Sequence, residues 1–266
     1  MENTSKNVTA AFTVGQIWKE GFALLKANAL SIVMLIVGLG AVAFVVQMAA
    51  VVIMTVINLI FAAIRAPFLG LLFLPLIYVV LIGLQVLIQM VVMRFGLQVV
   101  DKKVIDWKAL VKFDAKHVGL FFLAILITGF AIGLGYVFLI VPGIIAALFL
   151  MATPYIAVEK AVNPIDAMKA SVELTEGSRL NIFLTTLSIT LLPTILWVIP
   201  FMILLLGIII DDNDFVPVMM ILIVLSMIPI FIVTLVVSIF ALVAFPLMYR
   251  KMTLQKPNVV AKIATV

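Results

Sequence analysis

Long apolar stretches alternate with short charged segments along this chain. Stretches with no charged side chain cover 29–64, 66–93, 118–158, 180–210 and 215–249. A helix that spans a bilayer needs about 20 apolar residues, because no water is present to satisfy its backbone. Four of the stretches read as single spans. The stretch 118–158 is too long, since as one straight helix it would extend roughly 60 Å, about twice the hydrocarbon thickness. Near its middle lies Val141-Pro142-Gly143. Proline removes a helix donor and clashes with the preceding turn, and glycine admits positive φ, so the pattern predicts a tight helical hairpin at Pro142-Gly143. The expected fold is all-α and polytopic. Its six transmembrane helices fall at about 29–62, 67–97, 118–141, 143–158, 180–210 and 216–249 of a single membrane domain, 1–266.

The placement of charge supports this count. With six spans and the N-terminal segment inside, the inside segments are 1–28, 94–117, 159–179 and 250–266, and they hold every Lys and Arg except Arg65. That is the positive-inside pattern, with both ends in the cytoplasm. A mere kink at Pro142 would move the later segments to the other side and destroy the bias. The outside loops are then short: Arg65-Ala66-Pro67, Pro142-Gly143 and the acidic turn Asp211-Asp212-Asn213-Asp214.

The inside connections carry helical patterns of their own. In 13–27, Val14, Ile17, Trp18, Gly21, Leu24 and Leu25 share one face. Asp106 is placed to cap a helix over 106–117 that carries Trp107 and Leu110. In 163–177, Asn163 can cap, Pro164 suits the first helical position, and Gly177 can terminate. All three read as short interfacial helices with lysines toward anionic lipid. An interfacial helix followed by two spans thus occurs three times, which suggests parallel repeats; any helix entering a bilayer shows a similar pattern.

Composition adds what lies around the fold. The chain is 66% hydrophobic and 11% charged, with a mean hydropathy of +1.40. A soluble domain carries about 25% charged residues, so lipid is the solvent here. No cysteine is present, so disulfides and thiolate sites are excluded. The first apolar run is longer than a signal-peptide core and lacks a cleavage pattern, so Met1 onward is expected to be retained.

One stretch carries a signature. It comprises Leu139-Ile140-Val141-Pro142-Gly143, the residues from Ala152 to Glu159, and Pro164, Ala167, Ser171, Leu174, Thr175 and Gly177 in the spacing Pro-x-x-Ala-x-x-x-Ser-x-x-Leu-Thr-x-Gly. It resembles a broad group of uncharacterised bacterial integral membrane proteins related to the membrane domain fused to some glycerophosphoryl diester phosphodiesterases. The close match covers about 40 residues. The resemblance implies a fold and a bacterial inner-membrane address. It transfers no activity, because catalysis in those phosphodiesterases belongs to a separate soluble domain. The residues themselves read as a cytoplasmic elbow joining spans four and five. Small Ala167, Ala170 and Ser171 allow close packing, and Ser171 and Thr175 can bond backbone carbonyls. A ligand site at the elbow, using Glu159, Ser171 and Thr175, is the sharper alternative.

Candidate chemistry is sparse. His117 is the single histidine and stands beside lysines, while zinc needs about four ligands. The Asp211–Asp214 cluster lacks the spacing of an EF-hand and reads as a solvated turn; calcium is the alternative. Within the spans no charge sits at mid-membrane depth, and such charges mark proton relays and many ion pathways. Gln85 and Gln89 share a helix face, and with Thr186 and Thr190 they can serve as helix contacts or line a polar path. The expectation is a non-enzymatic protein without cofactor or metal, in a structural, lipid-interacting or accessory role. Its partners would be anionic lipids, a second copy or another membrane protein, and not nucleic acid. A small transporter or channel is the alternative.

Overall fold

The computed structural model describes residues 10–64, 72–210 and 215–263. Expectations resting on Lys6, on Arg65-Ala66-Pro67 and on Asp211–Asp214 lie outside these residues. The described chain is all helical, in the order α1 (Val14–Ala27), α2 (Ala29–Ala63), α3 (Leu74–Val100), α4 (Trp107–Leu110), α5 (Ala115–Phe138), α6 (Ile140–Leu150), α7 (Thr153–Glu159), α8 (Pro164–Thr175), α9 (Arg179–Leu196), α10 (Val198–Ile210), α11 (Phe215–Gln255) and α12 (Pro257–Ile263). Six candidate spans result: α2, α3, α5, α6 with α7, α9 with α10, and α11. In the most apolar window of α11 only 6% of residues are buried within the protein. So much uncovered apolar surface requires a bilayer, and the chain is a multi-pass membrane protein.

Local signals set the helix ends. Thr13 and Gln16 form a reciprocal capping box at the start of α1, with Thr13 N–H donating to Gln16 Oε1 at 2.9 Å. Asn163 Oδ1 accepts from Ile165 N–H at 3.0 Å, Pro164 opens α8, and Gly177 follows its end at φ 82°, where a side chain would be strained. The segment 106–117 departs from expectation. Asp106 does cap, accepting from Lys108 and Ala109, but α4 lasts one turn because Asp114 caps again and starts α5 at Ala115.

The hairpin over 118–158 forms, with its turn three residues before Pro142. Leu139 is extended, at φ −165° and ψ 153°, and separates α5 from α6. Pro142 sits in the first turn of α6, where its missing N–H has no helical partner to lose. Gly143 is needed for approach and not for a turn. A Cβ there would lie 2.5 Å from the Tyr136 ring, and one on Gly135 would lie 2.8 Å from Gly143 Cα. The fifth span is also jointed, because Trp197 separates α9 from α10 with Pro193 and Pro200 on either side.

Three helical pairs therefore rise from one end of the molecule, α2 with α3, α5 with α6–α7, and α9–α10 with α11. Each is preceded by a shorter helix: α1, α4 and α8. The core starts at that end, the base, where Phe12, Ile17, Leu174 and Tyr249 are fully enclosed, and it continues up α3 and α5 through Met90 and Phe121. Helix α1 packs on α11 through Gly21, where a Cβ would meet the Phe240 ring at 2.9 Å. Trp18 stacks on Phe240 at 4.3 Å and donates its indole N–H to Ser188 Oγ at 3.0 Å. Away from the base the pairs diverge. Helix α2 buries only Ile32 and Leu35, both in its first two turns.

Helices α3 and α11 touch most closely at Gly96, where a Cβ would come within 2.6 Å of the Leu242 carbonyl oxygen and 2.7 Å of Pro246. Gly96→Ala is expected to force these helices apart and cost about 1–3 kcal/mol, the range for overpacking. Gly38→Ala, with nothing within 4 Å of the added Cβ, should be neutral or slightly stabilising through helix propensity. Thermal unfolding of both variants in detergent checks the contrast.

Candidate functional site

The basic end of α11 is where the three pairs are joined. Arg250 places Nε 2.7 Å from Asp101 Oδ1 and donates from a second nitrogen to Asp101 Oδ2 at 2.8 Å. Its remaining nitrogen donates to Glu159 Oε1 at 2.7 Å, and the Tyr249 hydroxyl donates to Glu159 Oε2 at 2.7 Å. Lys103 stands 3.1 Å from Asp101, so two cations answer two carboxylates. Asp101 caps α3, Glu159 ends α7, and Arg250 lies in the last turns of α11; each belongs to the second limb of its pair. Lys251 adds α1 through Glu20 at 2.8 Å, and Lys256 adds α8 by donating to the Glu173 and Glu176 carbonyls at 2.7 and 3.0 Å. Arg250 is a fifth exposed. At that burial the planar guanidinium fork is well suited to hold two carboxylates at once.

The signature residues divide between two places. Ser171 and Thr175 meet the joint between α6 and α7. There Ser171 Oγ accepts from Ala152 N–H at 3.1 Å and donates to the Phe149 carbonyl at 2.8 Å, while Thr175 reaches the same carbonyl at 3.4 Å. These are backbone groups that a continuous helix would have paired internally. Ala167, Ala170 and Leu174 are buried beside them, so the small residues do permit close packing. Glu159 instead bonds Tyr249 and Arg250, whereas Ser171 and Thr175 bond the α6–α7 joint. His117 is likewise occupied, its Nε2–H donating to the Ala157 carbonyl at 2.9 Å.

Above the base, a cleft of about 600 Å³ lies between α2, α3 and α11. Gln85 and Gln89 line it from α3 and Ser238 from α11, among apolar side chains. By helical rise, Gln89 and Gln85 lie about 18 and 24 Å along α3 from Asp101, near the middle of that helix. The floor includes Tyr155, whose ring stacks on Tyr249 at 5.5 Å. The cleft is thus one aromatic layer from the charged network. Thr186 and Thr190 are not part of it. They lie on α9, where Thr190 Oγ1 donates to the Thr186 carbonyl at 2.9 Å. A second hollow of about 590 Å³ lies at the base, lined by Glu20, Asn28, Lys102 and Lys103 among others. Lys102 follows α3 at φ 54°, a left-handed conformation uncommon for a residue with a side chain.

The sequence reading missed Asp101, Arg250, Tyr155 and Tyr249. A signal was available for Arg250, which directly follows the last apolar run as Glu159 follows the third; Asp101 had none, since Arg94 already closes the second run. For the tyrosines there was none, since their meeting depends on how α7 and α11 cross. Comparison of the chain with protein-family models, curated proteins and solved structures gave no match.

Arg250→Gln leaves Asp101 and Glu159 facing each other and should cost on the order of 2–4 kcal/mol, the low end for a broken buried pair because the groups are partly exposed. Lys103→Gln, whose side chain is 67% exposed, should cost less than about 0.5 kcal/mol. Denaturation midpoints in a fixed detergent will rank the two.

Proposed function

We propose that this protein is a non-enzymatic, lipid-interacting accessory component of the bacterial cytoplasmic membrane. The base faces the cytoplasm, and the short helices of the base lie at the interface. The observation that carries the reading is the cleft between α2, α3 and α11, open toward the bilayer because α2 buries only Ile32 and Leu35. Two features support it. Every described Lys and Arg belongs to the base, where anionic headgroups of the inner leaflet would meet them. The hollow with Lys102 and Lys103 gives two exposed cations at that level. Kinship with the membrane domain of glycerophosphoryl diester phosphodiesterases remains part of this proposal, on the signature around Ser171. A small transporter is the second reading, favoured by the uncharged pair Gln85 and Gln89 at mid-membrane depth, where transporter sites commonly lie.

Orientation is tested with single cysteines in the cysteine-free chain. Leu139 is a better reporter of the α5–α6 turn than Gly143, which has no room for a side chain. Cysteines at Arg65, Leu139 and Asp212 should label from outside and one at Lys169 from inside only; outside labelling of Lys169 would reverse the orientation.

The lipid role is read by native mass spectrometry of protein from vesicles of equal phosphatidylglycerol and phosphatidylcholine. The wild type should retain the anionic lipid severalfold over the zwitterionic one, and Lys102→Gln with Lys103→Gln should reduce that preference, at about 1 kcal/mol per lysine near the surface. Equal retention by the wild type would defeat the reading. Solute flux by the purified protein in liposomes would establish the second one instead.

A further inference from the structure

The cleft contains two amides that no described residue bonds. No hydrogen bond joins Gln85 or Gln89 to another described residue, although both line the same cavity. Their spacing of four puts them on one face of α3. An amide left unsatisfied in hydrocarbon is costly, so a polar partner is expected at this depth. That partner is uncharged, because among the described residues no Asp, Glu, Lys or Arg lines the cleft to balance a charge. The remaining wall is hydrocarbon-like, formed by Leu35, Ile36 and Leu39 of α2 with Leu235, Ile239 and Leu242 of α11. A volume of about 600 Å³ lies within the usual range for one small ligand, and the occupant enters sideways from the bilayer.

We propose that the α2–α3–α11 cleft is a binding site for a single-chain amphiphile whose hydroxyl, ester or amide group is held by Gln85 and Gln89. The chain lies against α2 and α11, and Ser238 offers a third polar contact. This deepens the lipid-interacting reading and rests on it. The amides act as a pair: one donates to the ligand's oxygen while the other accepts a hydroxyl or amide proton. A pure hydrocarbon chain would fit the walls and leave both amides unanswered. The site therefore prefers an alcohol to an alkane of equal length.

The test uses the full-length protein in phosphatidylcholine nanodiscs with diazirine-bearing hexadecanol, and in parallel with diazirine-bearing hexadecane. After photolysis, labelled peptides are located by mass spectrometry. Hexadecanol should label 35–43, 85–93 and 235–246 above the rest of the lipid-facing surface, and hexadecane should not. Gln85→Leu with Gln89→Leu should lower the alcohol's labelling of the cleft by about tenfold, the effect of losing one to two neutral hydrogen bonds. This variant replaces amides by apolar side chains, a change that favours membrane insertion. Gly40→Phe is a second, steric variant. Gly40 lines the cleft and has open space where a side chain would begin, so the phenyl ring should block labelling with the amides intact. Equal labelling by alcohol and alkane in the wild type would overturn the proposal, as would unchanged alcohol labelling in the glutamine variant. Either result leaves the retention of phosphatidylglycerol at Lys102 and Lys103 untouched, so the wider reading and this site fail separately.

Discussion

Arg250 holds the second limbs of all three helical pairs together, through Asp101 of α3 and Glu159 of α7. Lipid covers apolar side chains about as well as neighbouring helices do, so hydrophobic burial gives no strong reason for spans to associate in a bilayer. Close packing and polar bonds must supply that reason, and here they are concentrated at the base. The Gly96–Pro246 contact, the Trp18–Phe240 stack and the Lys251–Glu20 pair all lie within a few turns of Arg250. Directional, charge-assisted bonds also fix one mutual arrangement of the pairs, which packing against lipid would leave loose.

The divergence of the pairs away from the base follows from the same economy of contacts. Helix α2 leans on the rest through Ile32 and Leu35, and the space it leaves against α3 and α11 becomes the cleft. Lipid fills such space at little cost where the walls are apolar. It does so poorly at Gln85 and Gln89, and that mismatch separates this cleft from the merely apolar groove between α2 and α4. The aromatic layer of Tyr155 and Tyr249 puts the cleft in contact with the groups that hold the base together.

Much of the fold was legible because a bilayer imposes simple rules. Length, charge placement and capping residues predicted six spans and the helices at 13–27 and 163–177 to within a few residues. Two details were misplaced for local reasons. Asp114 competes with Asp106 as a cap and divides the segment 106–117. Pro142 is tolerated in the first turn of α6, so the extended residue is Leu139, which carries no turn signal at all. The roles of Ser171 and Thr175 in bonding backbone were visible in their residue types, but their target at Phe149 and Ala152 was not. For Gln85 and Gln89, the shared face was readable and the empty space before them was not, because it depends on where α2 leans.

The Ser171 contacts also bear on the order in which the chain can become structured during synthesis. The joint between α6 and α7 leaves the Phe149 carbonyl and the Ala152 N–H open, and the hydroxyl that closes both belongs to α8, which the ribosome makes later. Until α8 has docked, the nascent second pair holds an unpaired backbone donor and acceptor within its second limb. Asp101 and Glu159 wait longer still, for Arg250 at the close of the third pair. Insertion of the second hairpin and completion of its hydrogen bonds are thus separable steps, because the group that completes them is encoded beyond the hairpin itself.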